Sequence, residues 1–143
     1  MVSEGFKLIA RSMDIAVKDV RQMYTKTFKK NDIDLTIEQW PIMAVIYDFK
    51  VLTQIEIAQK IMRFPQSLSA SIKLLINKGY ITRTKSDKDF RSFDIYLTPK
   101  GKEMVENAFP LVRRLRVKQW ENLSEEDYEQ FMKIISQIKK NVK

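Results

Sequence analysis

Four cations crowd a short stretch in the middle of the chain: Arg83, Lys85, Lys88 and Arg91. The first two alternate with Thr82 and Thr84, and the other two lie in the polar segment that follows. Cations gathered on a narrow projection bind phosphate, and an arginine there suits a minor groove, where negative potential is focused. Asp87 and Asp89 interleave with them. Their expected task is to stabilise the tip by holding Arg91 in a charge-assisted hydrogen bond. An ordinary polar turn has the same composition. Upstream stand Gln66, Ser69, Ala70 and Lys73, on the face of a helix opposite Leu68, Ile72, Leu75 and Ile76, with Ser67 near its N-terminus. Small residues let a helix backbone approach base edges, and Gln66 can pair with adenine through two bonds. The serines can reach phosphate or base, and Lys73 suits phosphate. A merely solvated helix face would look alike.

Charge separates these readings. The chain of 143 residues has a formal net charge of +8. Residues 1–49 are balanced at seven basic and seven acidic, and residues 103–143 hold eight against seven. Residues 50–102 hold eleven basic against four acidic, so nearly all the excess lies there. A basic block inside an otherwise balanced protein is the footprint of a polyanion-binding surface. The chain contains no cysteine and no histidine. Disulfides and thiol sensing are thereby excluded, and a transition-metal site or a triad-type nucleophile loses its usual ligands or base. No cofactor and no metal are expected, and no acidic cluster has the spacing of a catalytic pair, so an enzyme is not expected. Apolar runs fall short of the roughly 18 residues of a membrane span, and the N-terminal stretch mixes charge throughout; a cytoplasmic protein without a membrane partner is expected.

The elements that must position these residues follow from periodicity and capping. Phe6, Ile9, Met13, Ala16, Val17, Val20, Tyr24 and Phe28 step by three and four along one long helix, about residues 4–30. Three later helix starts pair a capping hydroxyl with an acceptor three residues on: Thr36 with Gln39, Thr53 with Glu56, Ser124 with Asp127. Pro41 is expected to remove a backbone bond and bend its helix slightly, and Pro110 to kink the one that starts at Thr98-Pro99. Phe64-Pro65 opens a further helix that Gly79 stops. Two strands, around Ile81–Lys85 and Phe93–Leu97, form a hairpin across Ser86 to Ser92. Asn122-Leu123-Ser124 has the form of a glycosylation acceptor, but a capping role for Ser124 is preferred.

The resulting order, a short helix, a turn, a second helix and a hairpin, describes a winged helix-turn-helix at about residues 50–102. The whole is mainly α with a small β-hairpin wing, a single domain over residues 1–143. Helices at about 4–30 and 103–142 are expected to form the dimerisation part. Their apolar stripes, including Phe6, Ile9 and Met13 at one end and Phe131, Ile135 and Ile138 at the other, have no obvious partner within so small a module. A second copy would cover them and set two reading helices about 34–36 Å apart, one DNA turn. An intramolecular bundle is the other arrangement.

Here the sequence resembles a known family. Leu75-Ile-Asn-Lys-Gly79-Tyr-Ile81, Arg83, Asp87-Lys-Asp89-Phe-Arg91 and Leu97-Thr98-Pro-Lys-Gly101 are similar to the signature of the MarR regulators, named for multiple antibiotic resistance. Leu35-Thr36, Gln39-Trp40 and Thr53-Gln-Ile-Glu-Ile57-Ala58 resemble the same family's preceding helices. The resemblance implies an obligate homodimer on a pseudo-palindromic double-stranded DNA operator, commonly a repressor relieved by a small ligand. It implies major-groove reading by Gln66 to Lys73 and minor-groove reading by Arg91. Many members have arginine where this chain has Pro65 and Ala70, so their base preference does not transfer. Members that sense oxidants through cysteine or zinc through histidine are no guide either. Trp40, Met43 and Tyr47, on the helix joining the two parts, are the expected lining of a pocket for a phenolic or amphipathic effector; plain core is the alternative. Rival functions are a ligand-independent regulator and a winged-helix module that binds protein instead of DNA.

Overall fold

The computed structural model describes residues 4–87 and 89–143. Its elements are α1 (Glu4–Lys30), α2 (Gln39–Phe49), α3 (Gln54–Ile61), α4 (Pro65–Asn77), β1 (Ile81–Lys85), β2 (Phe93–Leu97), α5 (Pro99–Gln119) and α6 (Glu125–Asn141). This is the winged helix-turn-helix with flanking helices that periodicity and caps imply. At the start of α3 the Thr53 hydroxyl accepts from the Glu56 amide, while the Glu56 carboxylate accepts from Thr53 N–H. Ser124 and Asp127 form the same reciprocal pair before α6. Thr36 and Gln39 also exchange both bonds, at 3.0 and 3.1 Å, but regular helix begins only at Gln39. Helical bonding nevertheless reaches back to Thr36 O, from Gln39 and Trp40 N–H at 3.1 and 3.0 Å, and Pro41 at the next position has no amide to donate to Ile37 O. α5 is assigned as one helix from Pro99 to Gln119, with Pro110 inside it.

Among the described residues, four non-glycine positions have positive φ, namely Asp32, Lys50, Met62 and Asn122, and each follows the end of a helix. Met62 is left-handed and turns the chain sharply from α3 toward α4. Gly79 (φ 79°) closes α4 with a Schellman pair, in which Tyr80 N–H donates to Leu75 O and Gly79 N–H to Ile76 O. The hairpin then pairs Ile81 with Leu97 through to Lys85 with Phe93, antiparallel. Leu52 joins it from before α3, exchanging both backbone bonds with Ile95 at 3.1 and 2.8 Å. That one-residue bridge has no alternating pattern to announce it. It follows a turn in which Val51 N–H donates to Phe49 O across Lys50 at φ 73°, a rarely populated backbone conformation.

One core joins α2, α3, α4, α5 and the hairpin base, with Ile42, Met43, Ile46, Ile57, Leu68, Leu75, Val105 and Ala108 fully enclosed. The long outer helices contribute unequally. α1 buries Tyr24 and Phe28 and packs Val20 and Met23 against the core, whereas α6 buries no residue at all. Where α5 begins, Gly101 lies directly against the backbone of Tyr80, and a Cβ there would stand 1.9 Å from the Tyr80 carbonyl oxygen. Thr98 locks the same junction, its hydroxyl donating to Gly79 O and accepting from Gly101 N–H. Among the described residues no helix is long and apolar enough to cross a membrane.

Candidate nucleic-acid interface

Helix α4 has to expose one face because the other is committed to the core. Leu68, Ile72 and Leu75 are buried, and Ile76 is half-buried. The 3.6-residue period then turns Gln66, Ser67, Ser69, Ala70 and Lys73 outward, and all five are exposed. On the hairpin, Arg83 and Lys85 are exposed on β1 and Arg91 is exposed in the connecting loop; Lys88 lies outside the described residues. The sequence-selected residues do not form one uninterrupted set. Ser69, Lys73 and Arg83 share a cleft of about 400 Å³ between α4 and the wing, which Gln54 and Asn77 also line. Arg83 and Arg91 share a second cavity of about 220 Å³, bounded by the start of α3 and by Pro65. Arg83 thus stands between α4 and the wing loop, its guanidinium 4.6 Å from the Phe93 ring centroid. Lys85 borders neither cavity.

The wing loop is held differently from the sequence expectation. Asp89 accepts a 2.9 Å hydrogen bond, but the donor is the backbone amide of Arg91, not its guanidinium. Ser92 adds bonds from its amide and its hydroxyl to the Asp89 carbonyl. Asp87 is exposed. The expected carboxylate clamp on the arginine side chain is therefore corrected to a backbone turn. A carboxylate two residues before an amide reaches it more readily than it reaches the end of a long, solvated side chain. The Arg91 guanidinium stays exposed, 5.9 Å from the Phe90 ring centroid.

Several cations in the basic block serve structure instead. Arg63 donates to Glu38 O at 3.2 Å and to Ser67 O at 3.1 Å, tying the turn before α4 to α2 and to the first turn of α4. Lys78 binds the carbonyl and carboxylate of Asp34 at 3.1 and 3.2 Å, and Lys100 donates to Lys78 O at 3.0 Å. Tyr80 completes this brace by donating to Asp34 at 3.0 Å. Burial first, then the bond to Asp34 and its charge, pushes the Tyr80 hydroxyl up to about 12, so it remains a donor at neutral pH. Gln54 is a positioning residue that the motif reading passed over. Its amide donates to Pro65 O at 2.8 Å and to Ser69 Oγ at 3.0 Å, joining α3 to α4 across the turn. Its place immediately after the cap, in the first turn of a bracing helix, was the available signal.

The expected effector pocket is also corrected. Trp40 is buried between Phe28 and Phe109, edge-on at 6.2 and 5.4 Å, and Met43 is wholly enclosed. Both are core, because the inner stripe of α2 faces α5 and the hairpin. Tyr47 borders a cavity of about 410 Å³, with Lys50, Tyr96, Thr98 and Lys102 among its neighbours.

Comparison with known proteins places this geometry. Residues 35–93 match the model of the MarR family. An HTH-type transcriptional regulator of Bacillus cereus is 32% identical over 89 residues, covering 62% of this chain and 57% of its own length. The match thus spans little more than half of that relative. Among solved structures, AbsC, a MarR family transcriptional regulator from Streptomyces coelicolor, superposes with a TM-score of 0.86 at 16% identity, over 99% of this chain and 97% of that one. MepR of Staphylococcus aureus, in complex with DNA, gives a TM-score of 0.79 at 24% identity, over 92% and 96%. The fold is shared along almost the whole chain.

Proposed function

We propose that this chain, whose residues 35–93 match the model of the MarR family, is a sequence-specific regulator of transcription, a homodimeric cytoplasmic repressor on a pseudo-palindromic double-stranded DNA operator. The Bacillus cereus relative and AbsC are both named as transcriptional regulators, which supports a regulatory reading over a catalytic one. The observation that carries the proposal is the convergence of exposed Lys73 and Arg83 on one cleft between reading helix and wing, continued by Arg91 along the loop. Cations at that junction meet the phosphates flanking a groove, while α4 offers Gln66 and Ala70 to its floor. Fluorescence anisotropy with duplex from the gene's own upstream region, at two salt concentrations, tests it. Binding should be salt-sensitive and at least about 1000-fold tighter than to scrambled duplex. Equal binding to both duplexes would leave a protein-interaction module as the better reading.

Dimerisation is supported by apolar side chains on the outer helices. Ile9 and Met13 on α1 are 54% and 41% exposed; on α6 Phe131 is 48% exposed, and Ile135 and Ile138 are half-buried. A stripe that the chain itself does not cover is accounted for by an isologous partner. For relief of repression, the cavity beside Tyr47, Lys50, Tyr96 and Lys102 suits a small phenolic or amphipathic anion, with two rings for its body and two ammonium groups for its charge. Such a ligand acts only by favouring a conformation in which the reading helices are misplaced for DNA.

Arg91→Ala should weaken binding to the upstream duplex by about 1–3 kcal/mol and leave the oligomeric state unchanged. Unaltered affinity in the same titration would remove the wing loop from the contact surface.

A further inference from the structure

The entrance of the reading helix presents less hydrogen-bonding capacity than its sequence suggests. The Ser67 hydroxyl donates to the Phe64 carbonyl at 2.8 Å. Ser69 Oγ already accepts from Gln54 at 3.0 Å. Arg63 is turned back onto Glu38 and Ser67. Beside the exposed Gln66, two apolar side chains project at this end: Phe64, immediately before α4, is 80% exposed, and Met62, which makes the turn, is 75% exposed. A phenyl ring so placed costs solvation in the free protein, and it stands at the end of the helix that enters a major groove.

We propose that Phe64 is a specificity-determining residue that packs on the C5-methyl group of thymine in the major groove. The inference rests on the DNA-binding reading and deepens it. In unmodified DNA that methyl group is the one apolar feature on the groove floor, and phenylalanine is among the side chains that contact it. The surrounding charge favours DNA over another occupant, because exposed Arg83 and Arg91 line the cavity bounded by Pro65, the residue that follows Phe64. The ring takes the methyl and the cations take the phosphates to either side.

The experiment compares upstream-region duplex made with thymidine and the same duplex made with deoxyuridine, which lacks only the methyl group. Each is titrated with the wild-type protein, Phe64→Ala and Phe64→Leu, with scrambled duplex as reference. The wild type should prefer the thymidine duplex by about fourfold for each methyl contacted, so about fifteenfold for two half-sites. Phe64→Ala should bind both duplexes alike, near the wild-type affinity for the deoxyuridine form, and Phe64→Leu should keep part of the preference. Because the side chain is exposed, the variants should melt with the wild type. Preference for upstream over scrambled duplex without discrimination between the two bases overturns this proposal alone. Discrimination that survives in Phe64→Ala overturns it too, and assigns the methyl to another residue. Loss of any preference over scrambled duplex overturns this proposal together with the regulator reading.

Discussion

Gly101→Ala is expected to destabilise the protein by about 3 kcal/mol or more, a fall of roughly 10 °C in melting temperature. The added methyl would lie 1.9 Å from the carbonyl oxygen of Tyr80 and 2.8 Å from its carbonyl carbon. Neither neighbour is the free end of a flexible side chain, so relief requires backbone movement. That movement is opposed from both sides. The Tyr80 carbonyl accepts from Thr98 N–H at 3.0 Å, and Thr98 also caps α5. Separating α5 from the start of β1 would therefore break the joint between wing and core as well as relieve the clash. Thermal and urea unfolding at fixed protein concentration measure the effect. A variant as stable as the wild type would mean that the two segments lie further apart in solution.

Ile135→Glu is expected to weaken self-association by about 100-fold or more, and affinity for upstream duplex with it. If α6 packs on a second copy, the substitution places an unpaired carboxylate in that interface twice. Such a charge costs about 3–5 kcal/mol when it finds no partner. Within its own chain Ile135 is only half-buried and α6 contributes nothing to the closed core, so the fold itself should survive. Sedimentation or light scattering across a dilution series reads the association, and circular dichroism checks the helices. An undisturbed dimer would move the interface away from the stripe of Phe131, Ile135 and Ile138.

The parts of this molecule that could be read from the chain are those decided by near neighbours. Capping at Thr53 and Ser124 needs only residues three positions apart, and the Gly79 stop needs a single backbone conformation. The hairpin declares itself because Ile81 to Lys85 alternates with period two. Failures arise where sequence spacing is silent about the far partner. Trp40 and Met43 have the same spacing whether a ligand or Phe109 fills the space before them. Asp89 stands two residues from Arg91 whether it holds the amide or the guanidinium. Charge counting treats Arg63, Lys78 and Lys100 like Lys73 and Arg83, although the first three are turned onto backbone carbonyls. The bridge from Leu52 to Ile95 is invisible because a single residue has no period.

The brace around Asp34 has a mechanical consequence. Lys78 and Tyr80 fasten the exit of the reading helix to the segment between α1 and α2, and Arg21 on α1 is ion-paired with Glu38 in the same region. With 27 residues, α1 is about 40 Å long. As a rigid lever it converts a tilt of about 5° into a displacement of roughly 3.5 Å at its end, close to the rise of one base pair. In the proposed dimer, where two such levers meet, the separation of the reading heads would change by whole steps of the DNA ladder for rotations of a few degrees. A small angular change at the subunit junction is then enough to take the pair out of phase with a two-fold operator.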